Sequence, residues 1–258
     1  MYLDRFFADL PEARQCVHCR GGSLDLELQM AFQPVVDAVE RNVYAYEALV
    51  RGPGGEGAGE LLRAVSPAQL YLFDQTCRVL AIDTAARLGL RERLSLNFFP
   101  NAMYEASSCI RLTLAAAGKV GMPVGQLVFE LSEAERIDNP DHAMSILREY
   151  RKQGFNTAID DFGAGYAGLS LLASFQPDVV KIDRALVAGI ATAPAQRAIV
   201  AGVLSMCAAL GCRVVAEGVE DVRDYALLRE LGVRLFQGHL FSRPAIGALP
   251  EPDWHAFG

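Results

Sequence analysis

Glu47, Glu130, the adjacent pair Asp160 and Asp161, and Glu217 each close a short apolar run of the chain. Asn97, Lys181 and Gln237 hold the same kind of position in three further runs. Apolar runs of this length bounded by turn residues read as buried parallel strands, and such strands do not end in acids by default. Five carboxylates gathered in one place repel one another and protonate unless cations neutralise them. The ligand-type residues offer oxygen, with no His or Cys among them, which selects hard ions such as Mg²⁺ or Mn²⁺ over Zn²⁺. Asp160 and Asp161 cannot both point to one face of a strand, but at a strand end the second can turn inward through the loop. One carboxylate can then bridge two ions about 3.5 to 4 Å apart, the clamp that favours in-line displacement at phosphorus. Lys181 can hold an attacking water and offset developing charge, Gln237 can orient that water, and Glu217 is either the base or a ligand of the second ion.

Something must bring these residues to one rim. Strand-like runs lie at 28–36, 43–51, 94–99, 127–131, 156–160, 178–183, 213–217 and 233–241. Helix starts are marked by Ser66 before Pro67, Asn139 before Pro140, and Asp221, and helix stops by Gly89, Gly154, Gly211 and Gly232. From Glu47 to Gln237 the spacing averages about 32 residues, the size of a βα unit. Repeated βα units imply parallel strands, and eight in a chain of 258 residues fit an α/β fold, a TIM-type (β/α)8 barrel whose functional residues come from the C-terminal strand ends. The interval between the first two runs is too short for a crossover helix, so the barrel is expected to be irregular there, with a hairpin and an antiparallel first strand. The expected division is an N-terminal extension at 1–24, the barrel domain at 25–248, and a tail at 249–258.

The formal net charge of -7 argues against a grip on duplex nucleic acid, which needs clustered Lys and Arg. No run is long and apolar enough for a membrane span and the start lacks a signal pattern, so a cytoplasmic location is expected. Of the six cysteines, three or four sit in apolar helical or strand-like surroundings, which reads as buried thiols and not as a disulfide framework. Cys16, His18 and Cys19 have metal-like spacing but supply only three donors. The glycines of the 161–170 run lack the Gly-Lys-Ser/Thr of a phosphate-binding loop, and a hinged active-site loop is the better reading. The glycine-rich stretch 52–59 reads as a loop beside the same rim.

With these residues in place, the sequence resembles the EAL-domain family of cyclic di-GMP phosphodiesterases over about residues 28–244. The resemblance rests on Glu47-Ala48-Leu49 together with Gln33-Pro34, Asn97, Glu130-Leu131-Ser132-Glu133, Asp160-Asp161-Phe162-Gly163, Lys181-Ile182-Asp183, Ala216-Glu217-Gly218-Val219-Glu220 and Gln237-Gly238. It implies hydrolysis of cyclic di-GMP to linear pGpG on two metal ions per site. One ion would be held by Glu47, Asn97, Glu130 and Asp160, and the other by Asp160, Asp161 and Glu217, with Lys181 on the water. Gln33 and Arg51 match substrate contacts. Glu133 matches a residue that steadies the 161–170 loop, Glu220 is expected to support the same loop, and the 161–175 region is the expected homodimer interface. The sequence departs from the family pattern at Gly52, Ala164, Ala167 and Gly168. The rivals are a non-catalytic cyclic di-GMP receptor of the same fold, a one-metal barrel enzyme with a Lys base, and an interaction domain docking through the 161–175 region.

Overall fold

The apolar runs become the staves of a closed barrel. β1 (Gln29–Asp37) turns into β2 (Asn42–Arg51), followed by β3 (Arg93–Asn97), β4 (Leu127–Ser132), β5 (Asn156–Phe162), β6 (Val179–Ile182), β7 (Arg213–Ala216) and β8 (Leu235–Phe236). In this computed structural model, which describes residues 2–9, 24, 26–102, 110–133, 139–165 and 168–255, β2 to β8 pair in order and β1 closes the ring between β8 and β2. Neighbours from β2 to β8 are parallel, whereas β1 is antiparallel to both its partners. The hairpin expected from the short first interval is therefore present. A short β9 (Ala245–Ile246), which no apolar run announced, adds to β1.

The eighth run is the clearest departure. Of 233–241 only Leu235 and Phe236 join the ladder, because Gly238 packs on the backbone of Val219 where any side chain would collide. Phe241 N then closes a turn onto Gly238 O at 3.1 Å.

The helices among the described residues are α1 (Tyr2–Phe6), α2 (Ala58–Ala64), α3 (Leu70–Arg87), α4 (Arg111–Val120), α5 (Pro140–Lys152), α6 (Gly168–Ser174), α7 (Arg184–Val187), α8 (Pro194–Leu210) and α9 (Val222–Glu230). Asn139 accepts from His142 N at 3.0 Å and Asp221 from Arg223 N at 2.7 Å, as side-chain caps that replace missing intrahelical acceptors. Ser66 opens a single 3₁₀ turn, Pro67–Gln69, ahead of α3. At the far end of α8, Gly211 adopts φ +75°, a left-handed conformation that costs an L side chain energy. No described helix is long and apolar enough to cross a membrane.

Two apolar layers hold the barrel. Val35, Ala45, Val128, Ala158, Val179, Val215 and Leu235 form a small cluster separate from the main core. Their separation from the outer layer identifies them as the plug inside the barrel. The large cluster lies between strands and helices, with Phe32, Leu94, Phe129, Ile182 and Phe236 fully or almost fully buried.

Both flanking segments dock. α1 places Leu3 in the core and bonds Tyr2 Oη to Asp83 at 2.6 Å. At the other end, Tyr46 donates to Pro250 O at 3.1 Å, and Arg41 donates to Trp254 O at 2.9 Å while its guanidinium lies 5.9 Å from the Trp254 ring. The stretch read as a tail is thus packed on the barrel at Pro250 and Trp254. Cys16, His18, Cys19 and Ala167 lie outside the described residues.

Candidate active site

Each plug residue sets the direction of the polar residue above it. Ala45, Val128, Ala158, Val179, Val215 and Leu235 stand two residues before Glu47, Glu130, Asp160, Lys181, Glu217 and Gln237. Side chains two apart along a strand share a face, so the residues that follow the plug also point into the barrel axis, one layer nearer the C-terminal rim. On β1, which runs the other way, Gln33 stands two residues before Val35 and reaches the same layer.

The result is a cage around one ammonium group. Lys181 Nζ lies 2.7 Å from Glu217, 2.8 Å from Glu130, 2.9 Å from Asp160 and 3.3 Å from Glu47, and the side chain is 1% exposed. Burial alone would strip the lysine of its proton, but the surrounding carboxylates of Asp160, Glu130, Glu217 and Glu47 outweigh it and hold the group charged. The acids respond oppositely. Burial, with Asp160 and Glu47 adding repulsion, pushes Glu217 well above the usual carboxylate range. Burial likewise pushes Glu130 up to about 8, with Lys181 pulling against Glu47 and Asp160.

Two overlapping trios converge. Oxygens of Glu47, Glu130 and Asp160 lie within 4.8 Å of one another, and so do oxygens of Asp160, Asp161 and Glu217. Asn97 Nδ2 donates to Glu47 Oε1 at 3.0 Å, which places it on the first trio. Gln237 Nε2 donates to Glu47 Oε2 at 2.8 Å and to Gln33 Oε1 at 3.3 Å, and Gln33 is tied to Ser242 O at 3.1 Å. Among the described residues the buried Gln237 Oε1 receives no hydrogen bond, while Asp160 Oδ1 faces the Lys181 ammonium at 2.9 Å. An excess of anionic oxygen gathered around a single buried ammonium as counter-charge fits hard divalent cations.

Asp161 breaks the alternation, and the backbone shows how. It sits at φ +54°, one of two non-glycine residues in that region among those described, within a register break between Ile159 and Phe162. That bulge turns its carboxylate towards Asp160 and Glu217, while Ser132 Oγ donates to it at 2.7 Å. Partial burial and the Asp160 charge raise its pKa. The following turn is clamped from below: Glu133, 7% exposed, accepts from Gly163 N and from Gly168 N, each at 2.7 Å. Gly165 and Gly168 leave no room for a Cβ against Glu133. Glu220 lies elsewhere. Its partners are Arg184, which opens α7, at 3.4 Å and His239 Nδ1, after β8, at 3.4 Å, and neither belongs to the 161–170 loop.

Cavities of about 270 and 290 Å³ flank the cage, and Glu47 and Asp160 line both. Arg51, Phe99 and Ser132 line the first, and Arg184, His239 and Gln33 the second. Arg51 donates only to Val50 O, at 2.9 Å, among the hydrogen bonds of described residues. Next to it, the 52–59 stretch is folded on itself, with Gly52 N bonded to Glu56 O at 2.9 Å and Gly54 N to the Glu56 carboxylate at 2.8 Å.

The EAL domain family model matches residues 22–244 of this chain. The chain belongs to the EAL-domain family. Its fold is similar to that of a standalone EAL protein from Vibrio cholerae O395 in its c-di-GMP-bound form, with 43% identity, a TM-score of 0.87, and coverage of 91% of this chain and 99% of that one. In sequence it is similar to the cyclic di-GMP phosphodiesterase NbdA of Pseudomonas aeruginosa, 30% identical over 88% of this chain and 30% of the relative. It is also similar to the blue light- and temperature-regulated antirepressor BluF of Escherichia coli K12, 28% identical over 87% of this chain and 56% of the relative. The chain therefore spans about half or less of the length of these two curated relatives.

This EAL domain also contains a polar network that reading the sequence missed. Arg78 and Asp74 of α3, each 1% exposed, form a buried ion pair at 2.8 Å. Arg78 reaches Tyr150 Oη at 3.1 Å and lies 5.0 Å from the Phe129 ring centroid, while Asp74 Oδ1 accepts from Phe99 N at 3.1 Å. The pair thus fixes the backbone two residues beyond Asn97. Their i, i+4 spacing reads from sequence as an ordinary surface pair. A hint was available in the apolar residues that surround them, Tyr71 to Phe73 and Val79 to Ile82.

Proposed function

We propose that this chain is a phosphodiesterase that hydrolyses cyclic di-GMP to linear pGpG using two divalent ions, Mg²⁺ or Mn²⁺. The observation that carries the proposal is the pair of acidic trios sharing Asp160. Glu47, Asn97, Glu130 and Asp160 would hold one ion, and Asp160, Asp161 and Glu217 the other. Bound there, the ions supply Lewis acidity and a water acidic enough to attack phosphorus near neutral pH.

The remaining work falls to the side chains. Lys181, kept charged by its carboxylate neighbours, donates to the attacking water and offsets negative charge as it develops on the phosphoryl oxygens. Gln237 Oε1, buried without a donor, accepts a hydrogen bond from that water and orients it. Glu217, if it is free of the second ion, is the acid in the cage best placed to take up the proton. Arg51 in one cavity and Gln33 in the other are suited to the two halves of a dinucleotide, its scissile phosphate lying over the acids the cavities share. Glu133 holds the loop that presents Asp161. Leu169, 66% exposed on α6, supports the 161–175 region as the surface joining two copies.

Nucleotide products after incubation with Mg²⁺ or Mn²⁺ test the reading. We expect pGpG to accumulate, and to disappear in Glu47→Ala and Asp160→Ala. Tight cyclic di-GMP binding with no product would instead identify a receptor, a reading favoured by the similarity to a relative named as an antirepressor. One metal ion per chain at saturation would remove the two-ion mechanism.

A further inference from the structure

The opposite end of the barrel gathers three arginines. Arg93 opens β3, Arg213 opens β7, and Arg234 stands directly before β8. Arg234 is matched by Asp37 at 2.7 Å and Glu40 at 2.8 Å. Arg93 and Arg213 are not: among the described residues no carboxylate lies within ion-pair distance of either. Both guanidinium groups lie against the Tyr44 ring, 4.6 and 5.4 Å from its centroid, and Arg213 donates to Tyr44 Oη at 2.9 Å. Two like charges held on one ring without a counter-ion gain from an anion placed between them.

The space for one is present. A cavity of about 1030 Å³, larger than either cavity at the acidic rim, opens over these arginines. Its apolar wall comes from Leu204 and Ala208 of α8 with Val214 and Val233. Two acids also line it. Asp37 is neutralised by Arg234 and two backbone amides, and Glu92 accepts from Arg91 N at 3.2 Å. Small-molecule sites combine this kind of apolar wall with a few convergent polar groups, and paired guanidinium forks match phosphate oxygens. We propose that this base cavity binds a nucleoside phosphate, with the phosphates between Arg93 and Arg213 and the flat base against the α8 wall.

Calorimetric titration of the full chain with GTP, guanosine and pyrophosphate, in the presence of a chelator, tests this. Without divalent ions the acidic rim repels the same phosphates, so the base cavity is read alone. GTP is expected to bind once per chain, more tightly than guanosine or pyrophosphate, and the Arg93→Gln/Arg213→Gln double variant is expected to bind at least about tenfold more weakly. Ser205→Trp, which fills the cavity from the exposed face of α8 without touching the barrel, is expected to block GTP even if the double variant folds poorly. Cyclic di-GMP turnover should be unchanged in Ser205→Trp. The proposal is overturned by the absence of GTP binding at about 1 mM, by undiminished binding in Ser205→Trp, by pyrophosphate binding as tightly as GTP, or by loss of the GTP site in Glu47→Gln.

Discussion

Lys181 is the residue on which the acidic rim turns. In the cage it neutralises part of the charge of four carboxylates, yet it is no ligand for a hard cation. Lys181→Met should therefore bind Mn²⁺ at least as well as the parent while losing about 10²- to 10³-fold in kcat. Titration of the metal beside steady-state turnover checks this, and unchanged turnover would reduce the lysine to a structural role. Most of the cage could be read from sequence because strand alternation is strict: an inward apolar residue predicts an inward residue two places on. Asp161 escapes that rule and needed the bulge at φ +54° to join the others. Glu220 was expected at the 161–170 loop and meets Arg184 and His239 instead, distant elements whose approach no local pattern encodes.

At the level of elements, two devices position ligands without touching them. Glu133 ties the turn after β5 through two backbone amides. Glu133→Ala is expected to speed hydrogen exchange at Gly163 and Gly168 and to weaken metal binding at the Asp161 side. Exchange rates equal to the parent's would show that the turn is held by other contacts. The second device is the α3 ion pair. Asp74→Ala would leave Arg78 buried without its carboxylate partner, a change that typically costs about 3 to 5 kcal/mol. Thermal unfolding measures it, and Asp74→Asn, which keeps an acceptor for Phe99 N, should lose less. The strands themselves were visible as apolar runs, and so were three helix starts. β8 was overdrawn and β9 missed because Gly238 ends the ladder through a contact with Val219, a tertiary constraint absent from any local pattern. The docking of Pro250 and Trp254 was hidden for the same reason, as it depends on Tyr46 and Arg41, distant in sequence.

For the whole molecule, the cage couples stability to pH and metal. Glu130 has its folded pKa raised to about 8 from an ordinary 4.5, so the folded state keeps a proton that the unfolded chain releases. Stability from this source is fully present below the ordinary value and is lost as pH rises through the raised one; Glu217 shifts in the same direction. Metal-free protein is expected to melt at progressively lower temperature between about pH 5 and pH 8, and Mg²⁺ or Mn²⁺ to restore most of the loss at the upper end. A melting temperature flat across that window without metal would mean that the acids stay ionised together in the folded state.

The reversed first strand has a consequence for how any upstream segment meets the barrel. Gln29 pairs with Arg51, so β1 sets out from the acid-bearing rim and runs down towards the opposite mouth. In a barrel whose first strand ran with the others, preceding sequence would arrive at the far side from the chemistry. Here the polypeptide that leads into Gln29 enters beside Arg51, on the same side as the acids.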